Sequence, residues 1–196
     1  MKQNLAFLSV LALLAAWVGP ALAGQAILLP GSRLMLEGNS TLHPFECRAT
    51  SINTQFSFPG ESLQAAVDRG LPVILTVTIP VAGLVSKHAG LDQNLRKALK
   101  AVNNPDIVFS LASYRAEKGA GGEVQAQGSL TVAEVTRPET ISGRLSANGA
   151  SFVIDGERPL LMTDFAIKPP TMMLGAIKTD NRVVVKFHLE LKEKTP

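Results

Sequence analysis

Through most of the chain apolar and polar residues take turns, with a period of two. The alternation is clearest near the end, where Val183, Val185, Phe187, Leu189 and Leu191 are interleaved with Arg182, Val184, Lys186, His188, Glu190 and Lys192. Successive side chains of a strand point to opposite faces, so this run predicts a strand with one face buried and the other in water. The same phase marks Val73, Leu75, Val77, Ile79 and Val81, and then Ile52, Thr54, Phe56 and Phe58. It returns at Ile107, Phe109 and Leu111, and at Val124, Ala126, Gly128, Leu130 and Val132. Weaker runs occupy residues 33–38, 138–149 and 151–154. Turn formers separate the runs: Pro59-Gly60, the stretch from Gly119 to Gly122, Asn148-Gly149 and Asp155-Gly156. About eight strands with one apolar face each predict an all-β barrel or sandwich. No internal repeat or linker divides it, so one domain is expected.

One segment changes period. Leu91, Leu95, Ala98, Leu99 and Val102 recur at helical spacing, with Gln93, Asn94, Arg96, Lys97 and Lys100 on the other side. The spacing predicts one helix over about Leu91 to Ala101, lying in a connection and stopped by Asn103-Asn104-Pro105.

The first residues read as an export signal. Lys2 precedes an apolar stretch from Leu5 to Val18, Pro20 breaks it, and Ala21-Leu22-Ala23 presents small residues at the positions a signal peptidase reads. The stretch is short for a bilayer, which takes about 20 apolar residues. A cut after Ala23 is expected, leaving residues 24–196 as the mature domain. No cysteine stands directly after that cut to carry a lipid anchor.

Charge and cysteine content narrow the chemistry. Nineteen Lys and Arg stand against 16 Asp and Glu, a formal net charge of +3 for the 196 residues. So slight an excess, without clustering, gives no case for nucleic acid. Cys47 is the single cysteine, so no internal disulfide forms and the fold stands on its core. A metal site can be drawn with His43, Glu46 and Cys47, but a structural zinc needs four ligands. The plainer reading has His43 at a strand end and Cys47 as a small strand residue. No Gly-x-Ser-x-Gly, phosphate loop or dinucleotide glycine pattern occurs, and carboxylates lie singly on outward faces. The sequence therefore offers no catalytic residue, no metal ligand set and no cofactor motif.

Several stretches, in order, resemble the YceI-like (polyisoprenoid-binding) family of bacterial periplasmic proteins. They are Ser40-Thr41-Leu42-His43-Pro44-Phe45, then Val81-Ala82-Gly83-Leu84 with Gly90-Leu91-Asp92-Gln93-Asn94-Leu95. Asn104-Pro105-Asp106-Ile107-Val108-Phe109 and Gly128-Ser129-Leu130-Thr131-Val132 with Val135-Thr136-Arg137-Pro138 follow, and the segment from Met162 to Met173 closes the set. Ala166 departs from the pattern, which has glycine there. The resemblance implies an eight-stranded, antiparallel, lipocalin-like barrel in the periplasm, with an isoprenoid or other long-chain lipid inside.

An eight-stranded barrel is just wide enough to be filled by side chains or to hold one small ligand. Small inward residues (Ala126, Gly128, Gly143 or Ala147) and few large aromatics leave room. The expected interior set is Phe56, Leu75, Val77, Phe109, Leu111, Leu130, Val185 and Phe187, each on the apolar phase of its strand. Residues 162–178 cannot form one regular element, because Pro169-Pro170 removes two backbone donors. They are expected to lie over a barrel end, with Met172, Met173 and Leu174 as apolar cover and Lys168 and Lys178 as a rim for an anionic head group. The expected function is a carrier or buffer for an isoprenoid or quinone-like lipid, with peripheral membrane contact and a homodimer through a strand edge as further expectations. Two other classes stay open: a solid barrel whose loops bind a membrane redox or envelope partner, and a lipid-modifying enzyme.

Overall fold

The computed structural model describes residues 22–60, 62–117, 121–148 and 151–194. The export segment up to Ala21, the tip residues Gly119 and Ala120, and Gly149 lie outside the described residues, as do the side chains of Met172 and Met173. Twelve strands and two α-helices follow one another. They are β1 (Leu22–Leu28), β2 (Arg33–Ser40), β3 (Phe45–Ala49), β4 (Asn53–Pro59), α1 (Leu63–Asp68), β5 (Ile74–Pro80) and β6 (Leu84–Val85). Then come α2 (Ala89–Ala98), β7 (Asp106–Ala116), β8 (Gly121–Val132), β9 (Val135–Asn148), β10 (Ser151–Leu161), β11 (Thr171–Met172) and β12 (Ile177–Glu193).

Eight of these strands close a ring in the order β1-β4-β5-β7-β8-β9-β10-β12, with β1 returning to β12 through Ala26–Glu193 and Leu28–Leu191. Every pairing is antiparallel, so the expected eight-stranded barrel is the fold. The alternation explains the closure, since each strand can bury one face only against the faces opposite it. The first half of the long β12 also pairs with β2, which carries β3 and the two-residue edge strand β6 as a side sheet. The run at residues 33–38 is thus a strand, β2, but outside the ring. Its place in the ring is taken by β1, whose residues show no alternation.

The helix predicted over Leu91 to Ala101 runs from Ala89 to Ala98 and ends as Lys100 turns to a φ of 52°. A second helix, α1, was not legible. It is six residues long, too short for a periodicity, and Ser62 caps it by accepting from the Ala65 amide. The two helices stopper opposite ends. At one end Leu63 and Ala66 of α1 pack with Phe58, Leu145, Phe152 and Leu191. At the other, Leu95 and Ala98 of α2, with Leu99 just after it, pack with Ile79, Val132, Phe165 and Ile167.

Candidate functional site: a lumen between two plugs

Between the two plugs the barrel is hollow. A cavity of about 340 Å³ lies there, within the range of small-molecule sites. All eight expected interior residues line it: Phe56, Leu75, Val77, Phe109, Leu111, Leu130, Val185 and Phe187. Among the 44 lining residues the polar or charged ones are Asn94, Tyr114, Ser142, Arg158 and Thr179. Tyr114 donates to the Leu71 carbonyl at 2.8 Å, which ties β7 to the connection after α1, and burial pushes its phenol up.

Glycine keeps the lumen open. A Cβ placed on Gly24, Gly38, Gly128 or Gly156 would overlap the ring of Phe58, Phe45, Phe109 or Phe187 respectively. Three of these are directly opposed cross-strand pairs: Gly24–Phe58, Gly38–Phe45 and Gly156–Phe187. Each ring lies along the wall, on the bare backbone of its neighbour, instead of standing across the bore.

The segment after β10 does cover the barrel end, with Phe165 and Ile167 turned into it. Met162–Phe165 forms a 3-10 turn, and Phe165 and Ile167 are buried in the end core. Leu174, expected as cover, is fully exposed at a φ of 54°. Lys168 and Lys178 are exposed and do not line the cavity, because Ile167 occupies the inward position beside one and Ile177 is the more buried neighbour of the other.

His43 and Cys47 do not converge. Cys47 is completely buried on the inner side of β3, whereas Glu46 faces out and His43 sits exposed with its ring 6.3 Å from that of His88. Burial, with Asp92 and Glu46 nearby, pushes the thiol up to about 11. No group of three or more metal-ligating side chains occurs among the described residues. His43, Arg48, His88 and Arg182 instead border a polar concavity on the outer face, divided from the lumen by Phe45 and Leu91. At its edge Asp92 accepts from the Ser86 hydroxyl at 2.6 Å and the Ser86 amide at 2.8 Å, and these bonds hold its carboxyl below the usual range.

What sequence reading missed is a fork in the wall. β9 and β10 pair from Asn148–Ser151 to Gly143–Gly156 and then part, β9 continuing on β8 alone and β10 on β12 alone. Two prolines mark it, Pro138 in β9 and Pro159 in β10. Proline lacks the N–H that a central strand must donate, so each argues for a strand with one free side. Across the fork Arg158 donates from Nε at 3.0 Å and from Nη2 to Oε2 of Glu139. Both side chains are on the inward phase of their strands, shared with Ile141 and Leu160.

The model of the YceI-like domain matches residues 34–191. The chain belongs to the YceI-like family. Solved structures with the YceI-like fold include BcnA of Burkholderia cenocepacia, 18% identical over 81% of this chain and 95% of that one, with a TM-score of 0.65. A polyisoprenoid binding domain from Saccharophagus degradans is 10% identical over 87% and 98%, with a TM-score of 0.62. The YCEI protein of Campylobacter jejuni is 17% identical over 75% and 84%, with a TM-score of 0.59. At these identities the likeness is one of fold. A search of the curated proteins gives no significant match.

Proposed function

We propose that this YceI-like protein is a periplasmic carrier or buffer that holds an isoprenoid or quinone-like amphiphile in its lumen. The observation that carries the reading is a hollow barrel whose lining is almost wholly apolar. Water gains little there, and an apolar chain gains about 0.8 kcal/mol per buried methylene. Ten such groups would contribute roughly 8 kcal/mol before ordering costs, enough for micromolar binding on a partial return. The family and the polyisoprenoid binding domain of Saccharophagus degradans support a lipid over another apolar ligand. The export segment supports the periplasm.

Binding is favoured over catalysis by the chemistry of the lining. Its one charged side chain, Arg158, is already engaged by a carboxylate. Contact with a membrane is supported by exposed Leu42 and Leu174 at the α2 end. The loop holding Leu42 is tied to the one after Leu174 by Thr41, whose amide donates to the Lys178 carbonyl at 2.9 Å. The test is native mass spectrometry of protein taken gently from the periplasm, followed by delipidation and titration with farnesol. A lipid adduct and saturable farnesol uptake are expected. An adduct-free protein that takes up no farnesol refutes the reading.

A further inference from the structure

We infer, on the footing of that lipid-carrier reading, that the β9–β10 fork seats the ligand's polar end and selects an uncharged oxygen-bearing head over an anionic one. Arg158 and Glu139 form the pair at this seat. Glu139 is nearly buried, its side chain 9% exposed, and Arg158 reaches it from the lumen wall. Both arginine bonds go to the same carboxylate oxygen, Oε2. Nη1 of Arg158 and Oε1 of Glu139 have no partner among the described residues. One is a donor and the other an acceptor, and the donor belongs to a side chain that lines the apolar lumen. A hydroxyl or a carbonyl oxygen can satisfy the donor.

Charge decides between head groups. Arg158 and Glu139 together are neutral. A carboxylate or phosphate brought to Nη1 would stand next to Glu139, and Arg158, its side chain 37% exposed, is the one cation that lines the lumen. At the mouth Arg137 donates to the Asp164 backbone carbonyl at 3.2 Å, and it does not line the lumen. An uncompensated charge in such a place costs far more than a neutral oxygen, which needs only a donor. The fork also leaves space for a head group to reach this seat. Beyond Gly143–Gly156 no ladder joins β9 to β10; the Arg158–Glu139 pair spans the gap and the Met162–Phe165 turn packs on both strands. That turn is held to β12 by Asn181, which donates to the Thr163 hydroxyl at 2.8 Å and accepts from the Thr163 amide at 3.0 Å.

The experiment compares farnesol, farnesoate and headless farnesene as competitors for N-phenyl-1-naphthylamine, at a pH where farnesoic acid is ionised. The parent protein should favour farnesol over farnesoate by about tenfold or more, the size of one charge-assisted hydrogen bond gained or lost. Glu139→Gln keeps the shape and a partner for Arg158 but leaves the seat positive. It should move the farnesoate-to-farnesol ratio at least about tenfold toward farnesoate. Arg158→Met alone would strand a buried carboxylate, so it is combined with Glu139→Leu, an exchange of pair for apolar volume that proteins tolerate. This double variant should bind farnesene as the parent does and farnesol about tenfold more weakly. An unchanged ratio in Glu139→Gln, or full farnesol affinity in the double variant, overturns the inference while leaving the carrier reading intact. Failure of the parent to take up any of the three overturns the carrier reading itself.

Discussion

Replacing Val77 with tryptophan separates a hollow barrel from a filled one. Val77 lines the lumen on β5, opposite Thr54 on one side and Phe109 on the other. In a close-packed interior, enlarging a side chain this much costs about 1–3 kcal/mol or more in strain. Here the indole enters a space of about 340 Å³. It would bury roughly 60–100 Å² more apolar surface than valine, about 1.5–2.5 kcal/mol at 25 cal/mol per Å². Lost rotamer freedom offsets about 1 kcal/mol of this. Val77→Trp should therefore melt cooperatively, within about 1 kcal/mol of the parent. Ala66→Leu is the control, since Ala66 is 1% exposed in the plug at the α1 end. It should lose about 1–3 kcal/mol by overpacking. Trp17 is the chain's one tryptophan, so protein beginning at Gly24 has none and the new indole is the sole reporter. Its emission should be that of an apolar site, and farnesol uptake should fall sharply. Destabilisation as large as that of the control, or emission typical of water, would refute the hollow lumen.

Three further outcomes are expected. His188 is held above its usual value of 6.5, first by Asp155 at 2.6 Å and then by Glu190; a raised pKa stabilises below the unfolded value and fades as pH rises through the folded one. The melting-temperature deficit of Asp155→Asn should thus be largest near pH 6 and narrow by about pH 9, and a deficit independent of pH would count against the pair. Cys47 should resist thiol reagents in the native state and react at the rate of unfolding, while Cys47→Ser, which buries a hydroxyl without an evident partner, should lose about 1–3 kcal/mol by denaturant titration. Amino-terminal sequencing of exported protein should begin at Gly24, where β1 settles into regular register with β4 after an irregularity at Leu22; recovery of intact Met1 in a membrane fraction would contradict the export reading.

The interior was legible because one physical rule, alternation, governs each long strand. Phe187 and Val185 could be assigned to the lumen from β12 alone, with no knowledge of its neighbours. The side sheet was not separable from the ring, since Leu34 and Leu36 alternate like any ring strand and pairing partners leave no mark on a single strand. β1 is short, with alanine and glycine where alternation would need contrast. The inward ion pair was hidden for a related reason. Arg158 and Glu139 sit on inward phases, where a charge reads as an interruption, and a separation of 19 in sequence hides their contact. Pro138 and Pro159 carried the available signal, because two prolines inside strand runs imply two free edges. Lys168 and Lys178, expected at the rim, are exposed, and polarity in a loop does not tell which way such a side chain faces.

The glycine–phenylalanine rungs give the bore a calibre that belongs to pairs. At Gly38 the atoms a Cβ would strike are all on the Phe45 ring, with no backbone among them. Bulk can therefore pass from β3 to β2 at this side-sheet rung, a smaller ring permitting a larger residue opposite, whereas at Gly156 and Gly128 a backbone carbonyl also stands in the way. Single changes at such a rung would be felt by both members and would not add. The width of this lumen is thus set across paired strands, as at Gly156 and Phe187, and not along any one strand.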